Sequence, residues 1–423
     1  MKRLLQWLLA TALVMVSAAA LVWALNVRDE ADITNVAASP ANSELIARGA
    51  YLARAGNCMA CHTARGGEPY AGGRAIETPF GAVYTSNLTP DDQSGIGSWS
   101  PAHFWRAMHN GRSKDGRLLY PAFPYTSYTQ VKREDSDALF AYLRSLPAVF
   151  NPNHEHALQF PFNSQAALAV WRALYFKPGV YQPEPGRNAE WNRGAYLVQG
   201  LGHCSACHAA RNALGATTAG AGLAGGLIPV QNWYAPSLAS PHEAGVADWD
   251  KQEIVSLLKN GVSKNASVAG PMAGVVLGST QYLTPDDLSA MAQYLKELPP
   301  STIGQSTVAN AVGSAAGAKL YEQHCAGCHG MQGDGVPNAY PALAGNRAVT
   351  MPQTANLVQI VLHGGYAPAT QGNPRPFGMP PFVLVLTDIE IAALLTHLRQ
   401  SWGNQASGVS ALDVNRIRAN QGK

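Results

Sequence analysis

The feature that most constrains this chain is a pattern of two cysteines three positions apart, each time followed at once by a histidine. It occurs at residues 58–62 (CMACH), 204–208 (CSACH) and 325–329 (CAGCH). These three clusters use all six cysteines of the 423-residue chain. Any fold proposed for the chain must therefore contain three equivalent cysteine–histidine sites.

Each cluster lies inside a longer repeat, and internal repetition is the first property to establish in a sequence. A short helical pattern precedes each cluster, at residues 48–52, 193–197 and 317–321. An amphipathic helix closes each repeat, at residues 137–143, 288–295 and 391–398, with apolar residues at the three- and four-residue spacing of a buried face. We therefore expect a mostly α-helical chain in which each repeat runs helix, cluster, loops, middle helix, loop and closing helix.

A glycine in each opening helix suggests how the repeats pack. Gly49, Gly194 and Gly317 are expected to allow close contact with a ring on the closing helix, at Tyr142, Tyr294 and His397 respectively. His397 is thus interpreted as a packing residue and not as a metal ligand. With 41 Gly and 28 Pro, the connecting segments should be rich in loops.

The repeats divide the chain into predicted segments. These are an apolar N-terminal helix at 1–30, repeat domains at 44–150, 190–300 and 315–403, linkers at 151–189 and 301–314, and a polar tail at 404–423. The first linker contains one predicted helix, 165–176, whose aromatic residues we expect to pack against the domains and not against a partner or membrane. The second linker is rich in Ser, Ala and Gly and is expected to be flexible.

The N-terminal helix is long enough to cross a bilayer. Residues 4–25 form a run of 22 residues without a charge, preceded by Lys2 and Arg3. The apolar run continues past a possible small-residue cleavage site at 17–20, which favours an uncleaved anchor over a cleaved signal peptide. In both cases the rest of the chain is expected on the periplasmic side of the inner membrane. The net charge of +3, without a basic stripe, argues against a nucleic-acid partner.

Three kinds of chemistry compete for the cysteine–histidine clusters. Disulfides at this spacing belong mostly to thioredoxin-like βαβ folds, which the helical pattern does not predict. Structural zinc needs four ligands, usually from two adjacent cysteine pairs, whereas these pairs lie far apart in sequence. Two thiols on one helical turn, with an imidazole next, are typical of covalent haem c attachment. The sequence therefore predicts three covalently bound haem c groups, held by Cys58, Cys61, Cys204, Cys207, Cys325 and Cys328.

The iron ligands follow from the same pattern. His62, His208 and His329 are the predicted proximal ligands, and each should donate its other ring N–H to a backbone carbonyl. We expect these acceptors in the segments 86–88, 236–238 and 341–343.

The opposite iron ligand is expected to be a methionine, which raises the potential of a haem and suits electron transfer. Met272 and Met379 lie in proline-flanked loops of the second and third repeats. In the first repeat the matching loop carries Phe123, which cannot bind iron. Its middle helix, however, places Met108 where the others have Leu258 and Leu362. We therefore predict Met108 as the ligand and Phe123 as the packing group, with His109 or no sixth ligand as alternatives.

Several further motifs suggest a family. They lie at residues 84–91 (YTSNLTPD), 115–125 (DGRLLYPAFPY), 190–197 (EWNRGAYL), 209–215 (AARNALG) and 279–284 (STQYLT). From about residue 44 to residue 402 the chain resembles the tri-haem cytochrome c subunits of membrane-bound bacterial dehydrogenases for alcohols, aldehydes, gluconate and related sugar acids.

The resemblance implies three tandem class I cytochrome c domains and a role in electron transfer. Such subunits take electrons from a catalytic subunit of quinoprotein (PQQ), flavin or molybdenum type and pass them to ubiquinone or a terminal oxidase. Phe123 departs from many alcohol-oxidising members and favours the aldehyde or molybdenum branch. The resemblance implies no substrate-oxidising site in this chain. The alternatives are a peroxidase-like enzyme using the haem of the first domain and a free-standing electron carrier.

Overall fold

A computed structural model describes residues 1–28, 30, 33, 42–218, 222–264, 266–301, 314–337 and 339–419. Most of the predicted second linker, residues 302–313, lies outside this description, as do residues 420–423 of the predicted tail. The chain divides into two compact units. The first contains Met1–Ala53, Cys58–Gln182 and Ala213–Ala216, and the second contains Arg54–Asn57, Pro183–Asn212 and Thr217–Lys423.

The first unit holds the N-terminal helix and the first repeat. Its helices are α1 (Lys2–Val27), α2 (Ser43–Ala55, which begins in this unit), α3 (Cys58–Cys61), α4 (Pro101–Asn110), α5 (Tyr125–Tyr128), α6 (Arg133–Arg144) and α7 (Gln165–Tyr175). Strands β1 (Ala75–Thr78), β2 (Gly81–Tyr84) and β3 (Ala157–Leu158) form an antiparallel sheet in that order. Ile76 pairs with Val83, and Gly81 pairs with Leu158.

The second unit holds the second and third repeats. The second repeat contains α8 (Ala189–Tyr196), a π-helical turn (Leu197–Leu201), α9 (Ser205–His208), α10 (Lys251–Asn260), α11 (Pro271–Gly278), a 3₁₀ turn (Thr280–Tyr282) and α12 (Pro285–Lys296). The third contains α13 (Ala315–His324), α14 (Ala326–His329), α15 (Arg347–Thr350), α16 (Ala355–His363), α17 (Asp388–Gln400) and α18 (Ala411–Ala419). Short antiparallel pairs join β4 (Gly226–Ile228) to β5 (Trp233–Ala235) and β6 (Gly365–Tyr366) to β7 (Gly378–Met379).

The opening and closing helices cross on a glycine in all three repeats, as the sequence predicted. A Cβ atom placed on each glycine would overlap a carbonyl oxygen of the closing helix: Gly49 1.9 Å from Ala138, Gly194 1.9 Å from Ala290 and Gly317 2.1 Å from Ala393. The same Cβ would lie 2.7–2.9 Å from the Cβ of Tyr142, Tyr294 or His397. Only a residue without a side chain permits this approach.

An ion pair next to the glycine fixes the same crossing in the first two repeats. Arg48 Nε lies 3.0 Å from Asp135 Oδ1, and Arg193 Nε lies 2.7 Å from Asp287 Oδ1. Both carboxylates accept from two guanidinium nitrogens, which sets the rotation of one helix against the other as well as their separation.

His397 has the structural role that the repeat pattern predicted. It lies on α17, where its Nδ1 is 3.1 Å from Ser401 Oγ. Its ring packs edge-on against Trp402, with ring centres 5.5 Å apart, and near Tyr321. The position is thus part of the helix crossing of the third repeat.

The C-terminal end differs from the predicted polar tail. Helix α18 packs on α16 and α17, with Val414 fully buried. Arg418 Nε donates to Asp388 Oδ1 at 2.6 Å, and Arg418 Nη2 donates to the Leu386 carbonyl at 2.9 Å. Because polar side chains hold this helix in place, its sequence has little hydrophobic periodicity and did not predict a helix.

The second and third repeats are joined by direct hydrogen bonds within the second unit. The side chain of Asn356 on α16 accepts from the Tyr234 N–H at 2.8 Å and donates to the Tyr234 carbonyl at 2.7 Å. Arg347 donates to Asp248 Oδ2 at 2.7 Å and to the Gly245 carbonyl at 2.7 Å. Strand β5 of the second repeat is therefore held by a helix of the third.

The glycine crossing yields a stability prediction. We expect Gly194→Ala to lower the free energy of unfolding by about 1–3 kcal/mol, because the added methyl group must separate two packed helices. This loss should outweigh the gain in helix propensity, about 1 kcal/mol. The measurement is calorimetric unfolding of the purified protein, with Gly179→Ala as the control, since a Cβ at Gly179 would meet no atom within 4 Å. Equal unfolding temperatures for the two variants would contradict the close crossing.

Candidate haem sites

Each cysteine–histidine cluster forms one helical turn at the end of an opening helix. The histidine N–H donates to the carbonyl of the first cysteine, at 3.0 Å for His62 and 2.9 Å for both His208 and His329. This turn brings the two thiols of each cluster to the same side and places the histidine directly after them. The structure thus gives all three clusters the local geometry that the spacing predicted.

The three histidine rings are fixed by the predicted carbonyl acceptors. Nδ1–H donates to Ser86 O at 2.7 Å from His62, to Pro236 O at 2.7 Å from His208 and to Pro341 O at 2.9 Å from His329. With Nδ1 protonated and engaged, Nε2 carries the lone pair that a metal ion can use. The three rings therefore have the tautomer that a proximal ligand needs.

Burial supports the same protonation state. It lowers the pKa of His62 and of His208, and the carbonyl hydrogen bonds oppose this only in part. Both rings are therefore neutral at pH 7, as metal ligation requires.

The first cysteine of each cluster is buried or half-buried. Burial, followed by the neighbouring thiol, raises the pKa of Cys58 and Cys204 to about 12 and that of Cys325 to about 11. All six cysteines are free of disulfide bonds. A thioether carries no charge and needs no hydrogen-bond partner, so these positions suit covalent attachment to a porphyrin better than they suit a reactive thiolate or an ion-binding site. Within the described part of the chain, no three His, Cys, Asp or Glu side chains form a group that could hold a metal ion by themselves.

Two arginines that the sequence analysis missed hold the clusters of the first two repeats. Arg74 donates to the Ala60 carbonyl, and Arg211 Nη2 donates to the Ala206 carbonyl at 2.5 Å. Each carbonyl belongs to the residue before the second cysteine. Arg74 lies 13 residues after that cysteine and Arg211 only four, so no constant spacing revealed them.

The two methionines that the sequence placed in loops lie instead on a helix and on a short strand. Met272 is at the start of α11, after Gly270, whose φ of 54° and contact with Trp233 favour glycine. Met379 lies on β7, opposite Gly365, and packs against the core of the third repeat. A Cβ at Gly364 would lie 2.2 Å from the Met379 carbonyl, so this loop is closely packed against the end of α16. Both methionines are half-buried.

In the first repeat, Met108 occupies a buried position in the last turn of α4. Leu258 on α10 and Leu362 on α16 are buried at the matching positions, which agrees with the alignment of the middle helices. Phe123 is half-buried, and its ring centre lies 5.3 Å from that of Tyr128.

His109, the alternative ligand, already has structural contacts. Its Nδ1 is 2.8 Å from the Thr129 carbonyl, and its ring stacks on Trp105 with centres 4.5 Å apart. Lys259, at the matching position of the second repeat, donates to the Leu283 carbonyl at 3.0 Å. In the first and second repeats, the side chain at this position thus holds the segment before the closing helix.

Comparison with known proteins agrees with the repeated architecture. Residues 46–147, 192–299 and 314–402 each match the family model described as Cytochrome c.

The curated relatives match along most of the chain. The cytochrome c subunit of the quinone alcohol dehydrogenase of Komagataeibacter europaeus is 40% identical over 91% of this chain and 86% of its own. The gluconate 2-dehydrogenase cytochrome c subunit of Pantoea cypripedii is 37% identical over 90% and 91% respectively. One of the subunits of the nicotinate dehydrogenase of Pseudomonas putida is 39% identical over 96% of this chain but 34% of its own length.

Three repeats share the histidine geometry, the glycine crossing and the family match. The chain is a member of the cytochrome c family with three cytochrome c domains, similar to the cytochrome c subunits of quinone alcohol dehydrogenase and gluconate 2-dehydrogenase.

Proposed function

We propose that this protein is the tri-haem electron-transfer subunit of a membrane-bound dehydrogenase. The observation that carries the proposal is the threefold occurrence of a one-turn cysteine pair followed by an imidazole whose Nδ1–H is fixed on a backbone carbonyl. The three cysteine pairs would attach the haems, and His62, His208 and His329 would bind the irons. Each haem, when bound, supplies a centre that gains or loses one electron.

The chain's own residues would set the properties of these centres. The carbonyl acceptors fix the rings and raise the basicity of the ligands. On the opposite side we propose Met272, Met379 and, in the first domain, Met108. Met108 is preferred over His109 because Met108 is buried at the position that Leu258 and Leu362 occupy in the other two domains.

The Met108 assignment gives a spectroscopic prediction. In Met108→Leu, which introduces the residue found in the second domain at little packing cost, one of three methionine-to-iron charge-transfer bands should disappear from the near-infrared spectrum. Met331→Ala is the control, since Met331 is 60% exposed. Three unchanged methionine-ligated haems in Met108→Leu would contradict the assignment.

The proposed electron donor is a catalytic subunit, and the proposed acceptor is ubiquinone or a terminal oxidase. The relatives named as cytochrome subunits of alcohol and gluconate dehydrogenases support a donor of this kind. Phe123 in place of a methionine favours a molybdenum-type donor over a PQQ or flavin enzyme. The similarity to the relative named as a subunit of a quinone alcohol dehydrogenase supports a quinone-type donor instead.

This function can be tested with the complex purified from membranes in detergent. We expect a large catalytic subunit to co-purify, and one of ethanol, acetaldehyde, gluconate or nicotinate to reduce all three haems. A Cys204→Ser/Cys207→Ser variant should bind two haems and pass electrons to a ubiquinone analogue far more slowly. A cytochrome that purifies alone, or that turns over hydrogen peroxide instead, would contradict the proposal.

We further propose that α1 stays attached and anchors the protein on the periplasmic face of the inner membrane. The helix carries an 18-residue stretch that is apolar enough to cross a membrane, and none of this stretch is buried in the protein. Its end is fixed to α7, because Asn26 Nδ2 donates to the Ala169 carbonyl at 2.9 Å and Asn26 Oδ1 accepts from Arg172 Nε at 2.9 Å. Beside it, α7 exposes Val170 and Leu174, which lie four residues apart on one face.

Replacing residues 1–25 with a cleavable signal peptide tests the anchor while keeping Asn26. Expressed without other subunits, this variant should fold, bind three haems and appear in the soluble periplasmic fraction, whereas the full chain should remain in the membrane with an intact N-terminus by mass spectrometry. A full chain that lacks residues 1–25 after export would show that the segment is a cleaved signal.

A further inference from the structure

A buried carboxylate lies behind the proximal histidine of the second domain. Glu243, only 3% exposed, accepts from the Ser237 N–H through Oε2 at 2.6 Å. Ser237 N–H and Pro236 C=O belong to the same peptide group, and this carbonyl is the acceptor of His208 Nδ1–H at 2.7 Å. The imidazole, one peptide group and the carboxylate thus form a continuous hydrogen-bonded chain.

The carboxyl group of Glu243 is surrounded by donors. Besides the Ser237 N–H, the Tyr234 hydroxyl lies 2.9 Å from Oε2 and 3.1 Å from Oε1. The carboxylate accepts from both of these groups. The site is rigid, because Ala244 N–H donates to Ser237 O at 3.0 Å and Asn356 holds the backbone of Tyr234.

The equivalent peptide groups of the other two domains have different hydrogen-bond partners. In the first domain, the Asn87 N–H, next to the Ser86 acceptor, donates to the neutral amide oxygen of Asn153 at 2.8 Å. In the third domain, Ala342 is exposed, and its N–H makes no hydrogen bond to the described residues. The three proximal peptides are thus bound by a carboxylate, by a neutral amide and by no protein group in the described part of the chain.

Negative charge at the N–H end of a peptide group increases the electron density on its carbonyl oxygen, because the two are conjugated. A more basic carbonyl draws the His208 Nδ1 proton more strongly and gives the ring more imidazolate character. Such a ligand stabilises ferric over ferrous iron.

We propose that Glu243 is a tuning residue that lowers the reduction potential of the haem in the second domain relative to a neutral partner. This inference rests on the proposed haem attachment and extends it, because it separates the potentials of three otherwise similar sites. Glu243 acts through the Pro236–Ser237 peptide group and does not contact the iron.

Glu243→Gln is the direct test, because glutamine keeps the size and one acceptor oxygen but removes the charge. In spectroelectrochemical titration of the purified haem-loaded protein, we expect the equilibrium constant for reduction of one haem to rise roughly tenfold. For a one-electron couple this is about 59 mV. The other two haems should keep their potentials.

Asn153→Asp is the matched converse in the first domain. It places a carboxylate at the N–H of the Ser86–Asn87 peptide group. The equilibrium constant for reduction of a different haem should therefore fall by a similar factor. Because the substitution also removes the bond from Asn153 Nδ2 to Ser94 O, haem content and unfolding temperature are recorded with it. A Glu243→Gln protein with three unchanged potentials overturns the proposal by itself.

A second measurement distinguishes an effect of Glu243 transmitted through the Pro236–Ser237 peptide group (the peptide route) from a direct electrostatic effect of its charge on the haem. In reduced protein labelled with ¹⁵N-histidine, the Nδ1–H proton resonance of one proximal histidine should move upfield in Glu243→Gln, since its hydrogen bond weakens. A raised potential with an unmoved resonance would overturn the peptide route. A wild-type protein that does not show three haem components would instead overturn the proposed function. The haem-to-protein ratio identifies this outcome.

Discussion

The close crossing of the opening and closing helices is the constraint on which each domain depends. A peptide carbonyl of one helix occupies the space that a Cβ atom of the other would fill, so the two axes cannot lie further apart without losing the contact. The cysteine–histidine turn follows directly from the opening helix, and its position is therefore set by this crossing. The carbonyl acceptors of the three histidines then lie at defined distances from this turn.

Much of this arrangement could be predicted from the sequence because it recurs three times. The glycines, the aromatic or histidine rings opposite them and the acceptor segments all keep a similar order around each cluster, and the structure confirms their contacts. The identities of the iron ligands remain predictions, since they depend on the haem groups. His397 illustrates the value of the repeat, because its alignment with two tyrosines indicated packing before any contact was known.

Features without a constant spacing were not predictable. Arg74 and Arg211 reach equivalent carbonyls from different distances along the chain. Helix α18 is held mainly by Arg418 and one buried valine, so its amphipathic signal is weak. Glu243 and Gln93 both lie six residues after the N–H donor of the proximal peptide. Gln93 nevertheless faces solvent, and Asn153 from a distant segment takes its place. Because both residues lie at the same distance in sequence from the proximal peptide group, this spacing did not indicate which side chain is buried.

The bond pair between Asn356 and Tyr234 has a kinetic consequence. Tunnelling rates fall steeply with distance, so exchange between two centres on hinged domains must wait for the domains to approach. Strand β5 and helix α16 are instead joined by two short hydrogen bonds on a single residue. With the proposed haems bound, electron passage between the second and third domains should therefore not depend on solvent viscosity, because these two domains need not approach one another first.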